Sequence, residues 1–241
     1  MIDPLELDNK ELKSLTPQRF SYNVDDYGWQ ALIQNAFKIE NLNCLHELRS
    51  DLHPLGTLEI DTESKTLYHQ TFYAKMNAGW DELSNTYHSF IATEISPFFK
   101  NDFLYQYMPT FRVHLPNDQA IHGWHCDTEP GYDHPFGEIN IQLAITEMQD
   151  TSATWVESSP GRGDFRPMNM EYGEFTIFNG NTAVHGNKVN LTAKTRVSLD
   201  FRILPLHKYK GPGKTTATAG KTFAKGDYYT LYEQNKNLDH D

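Results

Sequence analysis

From Asp102 onward the chain runs in short stretches rich in aromatic and β-branched residues, each broken by Pro, Gly, Asn or Asp, with no long helical pattern between them. Such runs suit antiparallel sheets closed into a sandwich or barrel, and disfavour a doubly wound parallel sheet. Five strands are predicted: Phe103–His114, Glu138–Thr146, Ala153–Glu157, Glu174–Asn179 and Thr195–Leu204. Upstream, Trp29, Leu32, Ile33, Ala36, Phe37 and Ile39 recur at helical spacing within Asp26–Glu47. A second helical pattern, Trp80, Leu83, Tyr87, Phe90, Ile91, Ile95 and Phe98, fills Asn77–Phe99 and is closed by Pro97. The expected chain is mainly β with a helical N-terminal part lying on one face of a sheet. As a single domain over 1–241, it divides into a helical buttress at 1–100, a β core at 101–206 and a mobile tail or lid at 207–241. The tail from Lys208 to Lys225 is rich in Gly, Thr and Lys, whereas Tyr228, Tyr229, Leu231 and Tyr232 suggest that its end docks again.

Composition narrows the function. A hydrophobic share of 38% and an aromatic share of 13% support a packed core, and 14 Phe with 13 Tyr favour strands. A formal charge of -11 lacks the clustered Lys and Arg that phosphate neutralisation needs, so nucleic acid is not an expected partner. Cys44 and Cys126 do not make a disulfide framework, which points to a reducing cytoplasm. Neither a signal-peptide pattern at the N-terminus nor an apolar run of membrane-spanning length is present, so no membrane association is expected.

Chemistry concentrates in IHGWHCD, Ile121 to Asp127, where His125 and Asp127 are separated by one residue. On an extended strand such residues share a face and can reach one ion. The run EFTIFNG then leads through a turn to His185. Two imidazoles and a carboxylate form the facial triad of non-heme iron(II) oxygenases, with positions left open for a cosubstrate and dioxygen. Zinc accepts the same donors in hydrolases, and a jelly-roll binding module could keep such a metal as structural glue. The run TRVSLDFR offers a further feature: by alternation Arg196, Ser198, Asp200 and Arg202 share one face, and Val197, Leu199, Phe201 and Ile203 the other. Arg196 and Ser198 suit capture of a carboxylate. The apolar face can pack against the helices.

In the order His125, Asp127, His185, Arg196, with TWVESSPG at Thr154 to Gly161 and His185-Gly186 followed by Asn190, the sequence resembles the 2-oxoglutarate/Fe(II)-dependent oxygenase superfamily. It is similar to the phytanoyl-CoA hydroxylase and ectoine hydroxylase branch over roughly Phe111 to Ile203, and to small oxygenases of streptomycin-type aminoglycoside biosynthesis. The resemblance implies a double-stranded β-helix, or cupin-like jelly-roll, core buttressed by helices. It implies His125, Asp127 and His185 as iron ligands, Arg196 with Ser198 on the distal carboxylate of 2-oxoglutarate, and Asn140 and Gln142 as polar cosubstrate contacts. The implied activity is a dioxygenase, most simply a hydroxylase, using Fe(II), 2-oxoglutarate and dioxygen on a small-molecule substrate, a sugar, cyclitol or amino acid derivative among the options. Related halogenases replace the carboxylate ligand by a small residue, so Asp127 favours oxygen insertion or another halide-free oxidation, with desaturation, epimerisation and cyclisation left open. Arg112, His114 and His122 are further candidates for the substrate cavity. The sequence is silent on oligomeric state.

Overall fold

The computed structural model describes residues 7–8, 10–48, 66–120, 123–216 and 220–234. Ten strands form in chain order: β1 Gln18–Ser21, β2 Phe103–Gln106, β3 Thr110–His114, β4 Ile139–Ala144, β5 Thr154–Val156, β6 Arg166–Pro167, β7 Glu174–Phe178, β8 His185–Asn187, β9 Arg196–Pro205 and β10 Tyr229–Tyr232. Among the described residues three α-helices precede most of them: α1 Trp29–Phe37, α2 Leu67–Asn77 and α3 Asp81–Phe90. One sheet of seven strands runs β1-β7-β4-β9-β2-β10, with β3 also paired to β9, and a second sheet runs β6-β5-β8. Every strand pairing is antiparallel. The architecture is a helix-buttressed jelly roll.

The large sheet has two unlike faces because alternation sorts its side chains. From β9, Val197, Leu199, Phe201 and Ile203 join Ile139, Ile141 and Leu143 of β4 in the main core, together with Trp29, Ile33, Phe72, Leu83 and Phe90 from the helices. Phe111 on β3 is fully buried and stacks on Phe72 with ring centroids 4.4 Å apart and an interplanar angle of 4°. Phe37 stacks on the same ring at 5.7 Å. Each such side chain stabilises the fold by roughly 1.5–3 kcal/mol through burial. The opposite face of the sheet is polar and looks toward the small sheet.

Several elements depart from the sequence reading, each for a local reason. The predicted Phe103–His114 strand is two strands: Tyr105 pairs Ile203 and Thr110 pairs Asp200, so residues 106–109 lie opposite only 201–202. Pro109, which has no N–H for the ladder, sits in that bulge. The helix expected over Asp26–Glu47 stops at Phe37 because Lys38 adopts φ 54°, and the chain resumes as a 3₁₀ segment at Leu42–Leu48. The cap carries no glycine, so its usual sequence mark is missing. The helical pattern over Asn77–Phe99 begins only at Asp81, because Gly79 at φ 88° separates it from α2, a helix the sequence reading did not include. Past Phe90 it loosens into a π turn at Ile91–Ile95 and then tightens into a 3₁₀ turn at Ser96–Phe98. The short strands β1, β6 and β8 escaped the pattern, since two to four residues are too few for alternation to register.

The described residues of the tail pack on the β core. Gly213 N–H donates to Phe223 O and Phe223 N–H to Lys214 O, forming a small hairpin, and β10 then pairs β2. Phe223, Tyr228 and Tyr229 are buried against Leu104 and Leu204. Among the described residues no helix is long and apolar enough to cross a membrane.

The aromatic stack on β3 yields a stability test. Phe111→Ala is expected to cost about 3–5 kcal/mol in urea denaturation, because the cavity lies between a sheet and two helices that cannot collapse together. A loss below 1 kcal/mol would show that the helices do not depend on this contact.

Candidate metal centre

The small sheet brings the predicted triad together. After β7, Asn179 closes a turn by accepting from Thr182 N–H at 2.9 Å and donating to Leu12 O at 2.9 Å, which sends the chain back along β8. The buried carboxylate of Glu157 accepts from Val184 N–H at 2.8 Å and from Gly161 and Gly163 N–H at 3.0 Å each. It ties the loop after β5 to the residue preceding His185. Burial alone would raise this carboxyl, but those backbone donors outweigh it and hold it low. His125 pairs His185 across an antiparallel bridge, donating to its carbonyl at 3.0 Å and accepting at 2.9 Å. Two residues on, Asp127 N–H donates to Gly180 O at 3.0 Å.

The three side chains converge. His125 Nε2 and His185 Nε2 each lie 3.8 Å from Asp127 Oδ1, and the donor atoms of the set all fall within 4.8 Å of one another. At 3.8 Å these are not hydrogen bonds. They are two nitrogens and one oxygen facing a common point. Burial first, then the neighbouring His185, pushes His125 down to about 3, and burial lowers His185 as well. Both rings are therefore neutral and offer lone pairs. Burial would raise Asp127, but the charge of Arg202 prevails and keeps it ionised. The donor set fits a divalent cation that takes nitrogen and oxygen ligands. Ring contacts fix the imidazoles: Tyr132 stacks on His125 at 4.0 Å and 12°, and Phe178 meets His185 edge-on at 5.7 Å. His185 Nδ1 lies 3.3 Å from Ala183 O, a contact that favours the tautomer with a free Nε2.

Arg196 lies on the same inter-sheet face, and is only 2% exposed. Its Nε donates to Ser152 O at 3.1 Å, one terminal nitrogen to Ser198 Oγ at 2.9 Å and the other to Asn187 Oδ1 at 2.8 Å. Asn187 is two residues beyond His185 on β8, so the guanidinium stands one step along the strand from the triad. The expected pair Arg196 and Ser198 is thus in direct contact.

The other candidates are placed differently. Asn140, expected on a cosubstrate, gives its Nδ2 to Asp127 Oδ2 at 2.7 Å. Gln142 donates to Thr154 Oγ1 at 3.0 Å, and its Oε1 is buried without a partner. His114, expected on the wall of a substrate cavity, is fully buried opposite Arg196, its Nε2 2.9 Å from Asp118 O. Burial, then the Arg196 charge, pushes His114 down to about 3, so it supports Arg196 as a neutral ring. Arg112, from the same set, donates to Asp200 Oδ1 at 2.7 Å and keeps its side chain 18% exposed. His122 lies outside the described residues.

Sequence reasoning missed three contributors. Arg202 has the polar face the sequence predicts, but its bond to Asp127 depends on a segment 75 residues away in sequence. Tyr132 had no motif to mark it. Glu157, the last residue of a predicted strand, has no sequence mark for the backbone donors that its carboxylate gathers. Val156, the register partner of His185, also lines a cavity of about 450 Å³ together with Arg19, Ser158, Arg166, Met168 and Thr176.

No family model matches the chain. Among solved structures, a nickel complex of the non-heme monooxygenase ThoJ superposes with a TM-score of 0.50 at 11% identity, covering 83% of this chain and 77% of that one. SnoK, a non-heme alpha-ketoglutarate-dependent carbocyclase from nogalamycin biosynthesis, gives 0.50 at 10% identity over 95% and 98%. At such identities the likeness is one of fold. The streptomycin biosynthesis protein StrG of Streptomyces griseus is 32% identical over 212 residues, 88% of this chain and 96% of its own length. With that identity across nearly its whole length, the chain belongs to the StrG family.

Proposed function

We propose that this chain is a non-heme Fe(II)/2-oxoglutarate-dependent dioxygenase that hydroxylates a small polar metabolite and releases succinate and CO2. The observation that carries the reading is the convergence of His125 Nε2, His185 Nε2 and Asp127 Oδ1 on one point, with the Arg196 guanidinium buried on the same polar face. Three protein donors leave coordination positions for exchangeable ligands. A zinc hydrolase shares the first feature but does not require the second. The fold shared with ThoJ and SnoK agrees with the proposal, and the StrG relationship favours a substrate from the sugar, cyclitol or amino acid derivative class.

In this mechanism His125, Asp127 and His185 hold iron(II), which when bound supplies oxidation by dioxygen coupled to decarboxylation of 2-oxoglutarate. The neutral imidazoles need lose no proton to bind. Arg196 and Ser198 take the distal carboxylate of the cosubstrate through charge-assisted hydrogen bonds, and Asn187 with Ser152 O keeps the guanidinium aimed. Gln142 and Thr154, which already touch across the sheets, border the space between that anchor and the triad. Tyr132 shields the outer face of His125 from water.

Asp127→Ala is expected to abolish iron-dependent succinate formation while the far-UV circular dichroism stays native. Succinate formation at the unmutated rate would exclude this triad as the metal site. For the anchor, Arg196→Ala removes a charge-assisted partner contributing about 2–5 kcal/mol, so the 2-oxoglutarate requirement is expected to rise by roughly thirtyfold or more. An unchanged cosubstrate affinity, measured by titration of 2-oxoglutarate, would assign that carboxylate to another residue.

A further inference from the structure

The two oxygens of Asp127 have different surroundings. Oδ1 faces the two histidine nitrogens, each 3.8 Å away. Oδ2 accepts from Asn140 Nδ2 at 2.7 Å and from Arg202 Nε and a terminal nitrogen of Arg202 at 3.3 Å each. Asn140 and Arg202 are register partners on adjacent strands β4 and β9, so the sheet itself delivers both donors to one oxygen. We infer that Asn140 and Arg202 are positioning residues that occupy Oδ2 and restrict Asp127 to binding the metal through Oδ1 alone. This rests on the metal-binding reading of the triad.

Four features beyond these distances support the inference. The orientation of Asn140 is dictated by chemistry, because only its NH2 end can face an ionised carboxylate. The cost is visible: Asn140 Oδ1 is buried with no hydrogen-bond partner. Gly180 makes the room, since a Cβ there would stand 2.7 Å from Asn140 Nδ2 and 2.8 Å from its Cγ. The same glycine accepts Asp127 N–H through its carbonyl, which joins the cradle to the ligand's own backbone. Finally, Arg202 is held from behind by Asp200, and Asp200 by Arg112 at 2.7 Å, so the guanidinium has little freedom to swing away.

The consequence is a coordination number. A carboxylate free to rotate could bind through both oxygens and take a position that an exchangeable ligand needs. Occupying Oδ2 with one amide and one guanidinium keeps that position open. Asn140 thereby moves from the cosubstrate to the ligand, and Arg202 joins it.

Anaerobic titration with Co(II), followed by its visible absorption, tests this without turnover. The wild type should bind one Co(II). Asn140→Ala and Gly180→Ala should bind it about 10- to 100-fold more weakly, with an altered absorption spectrum because Oδ2 can now reach the metal. Arg202→Lys keeps the positive charge between Asp127 and Asp200 but loses the fork, and should change the spectrum in the same direction. Apo-protein melting, read in parallel, separates this from a general loss of packing, which would lower the melting temperature and leave the bound spectrum unchanged. Wild-type affinity and spectrum in the folded variants would overturn the positioning role. Failure of the wild type itself to take Co(II) would instead overturn the metal reading beneath it.

Discussion

Strand β9 must satisfy two environments at once, and the rest of the structure follows from how it does so. Its apolar face, Val197, Leu199, Phe201 and Ile203, is sealed by the helices, and its other face carries Arg196, Ser198, Asp200 and Arg202. In an ordinary sandwich the space between two sheets is the hydrophobic core. Here the main core has moved outside the sandwich, between the large sheet and the helices, and the space between the sheets is left for polar groups. A jelly roll without the helical layer could not accept so polar an interior. The buttress therefore enables the site, though no residue of α1, α2 or α3 belongs to it.

Burying that many charges is costly unless each is matched. The solution is a chain of alternating sign, Arg112, Asp200, Arg202 and Asp127, linked by direct contacts. Its last member is a candidate metal ligand, so an ion bound by Asp127 would also be bound by a strand whose charges are fixed in register. A buried ion pair of this kind is weak evidence for stability, because an apolar replacement could pack as well. Orientation is its better justification: Asp200, held by Arg112, aims the Arg202 guanidinium at Asp127.

Much of this was legible in the sequence where period and chemistry coincided. His125 and Asp127 needed only the rule that residues two apart share a strand face, and the sorting of β9 into two faces needed the same rule. The placing of Arg196 beside Ser198 followed from it as well. What stayed hidden depended on contacts between distant segments. Asn140 had the right face but could have served any neighbour in the interior, and only the approach of the 125–127 segment across Gly180 gives its amide to Asp127. His114 likewise had the right face, yet Asp118, four residues on, folds back to take its ring nitrogen. Short elements such as β8 carry no period of their own and are defined by their partners.

The C-terminal tail extends the same logic to the far end of the chain. Tyr229 donates its hydroxyl to the fully buried Glu138, whose other oxygen lies 2.7 Å from His134 Nδ1. His134 N–H in turn donates to the carbonyl of Asp127 at 3.0 Å. Phe223 packs on the His134 ring at 4.5 Å, and Tyr228 reaches Gln106 Oε1 at 2.9 Å. The end of the tail, where the sequence expects docking, thus touches the backbone of a candidate metal ligand through two intermediates. Glu138 starts the run into β4, which carries Asn140, so the tail and the amide on Asp127 Oδ2 are braced by the same short stretch of chain. The side chain of Asp127 is then fixed from within the sheets and its backbone from outside them, which is what a ligand limited to one oxygen requires.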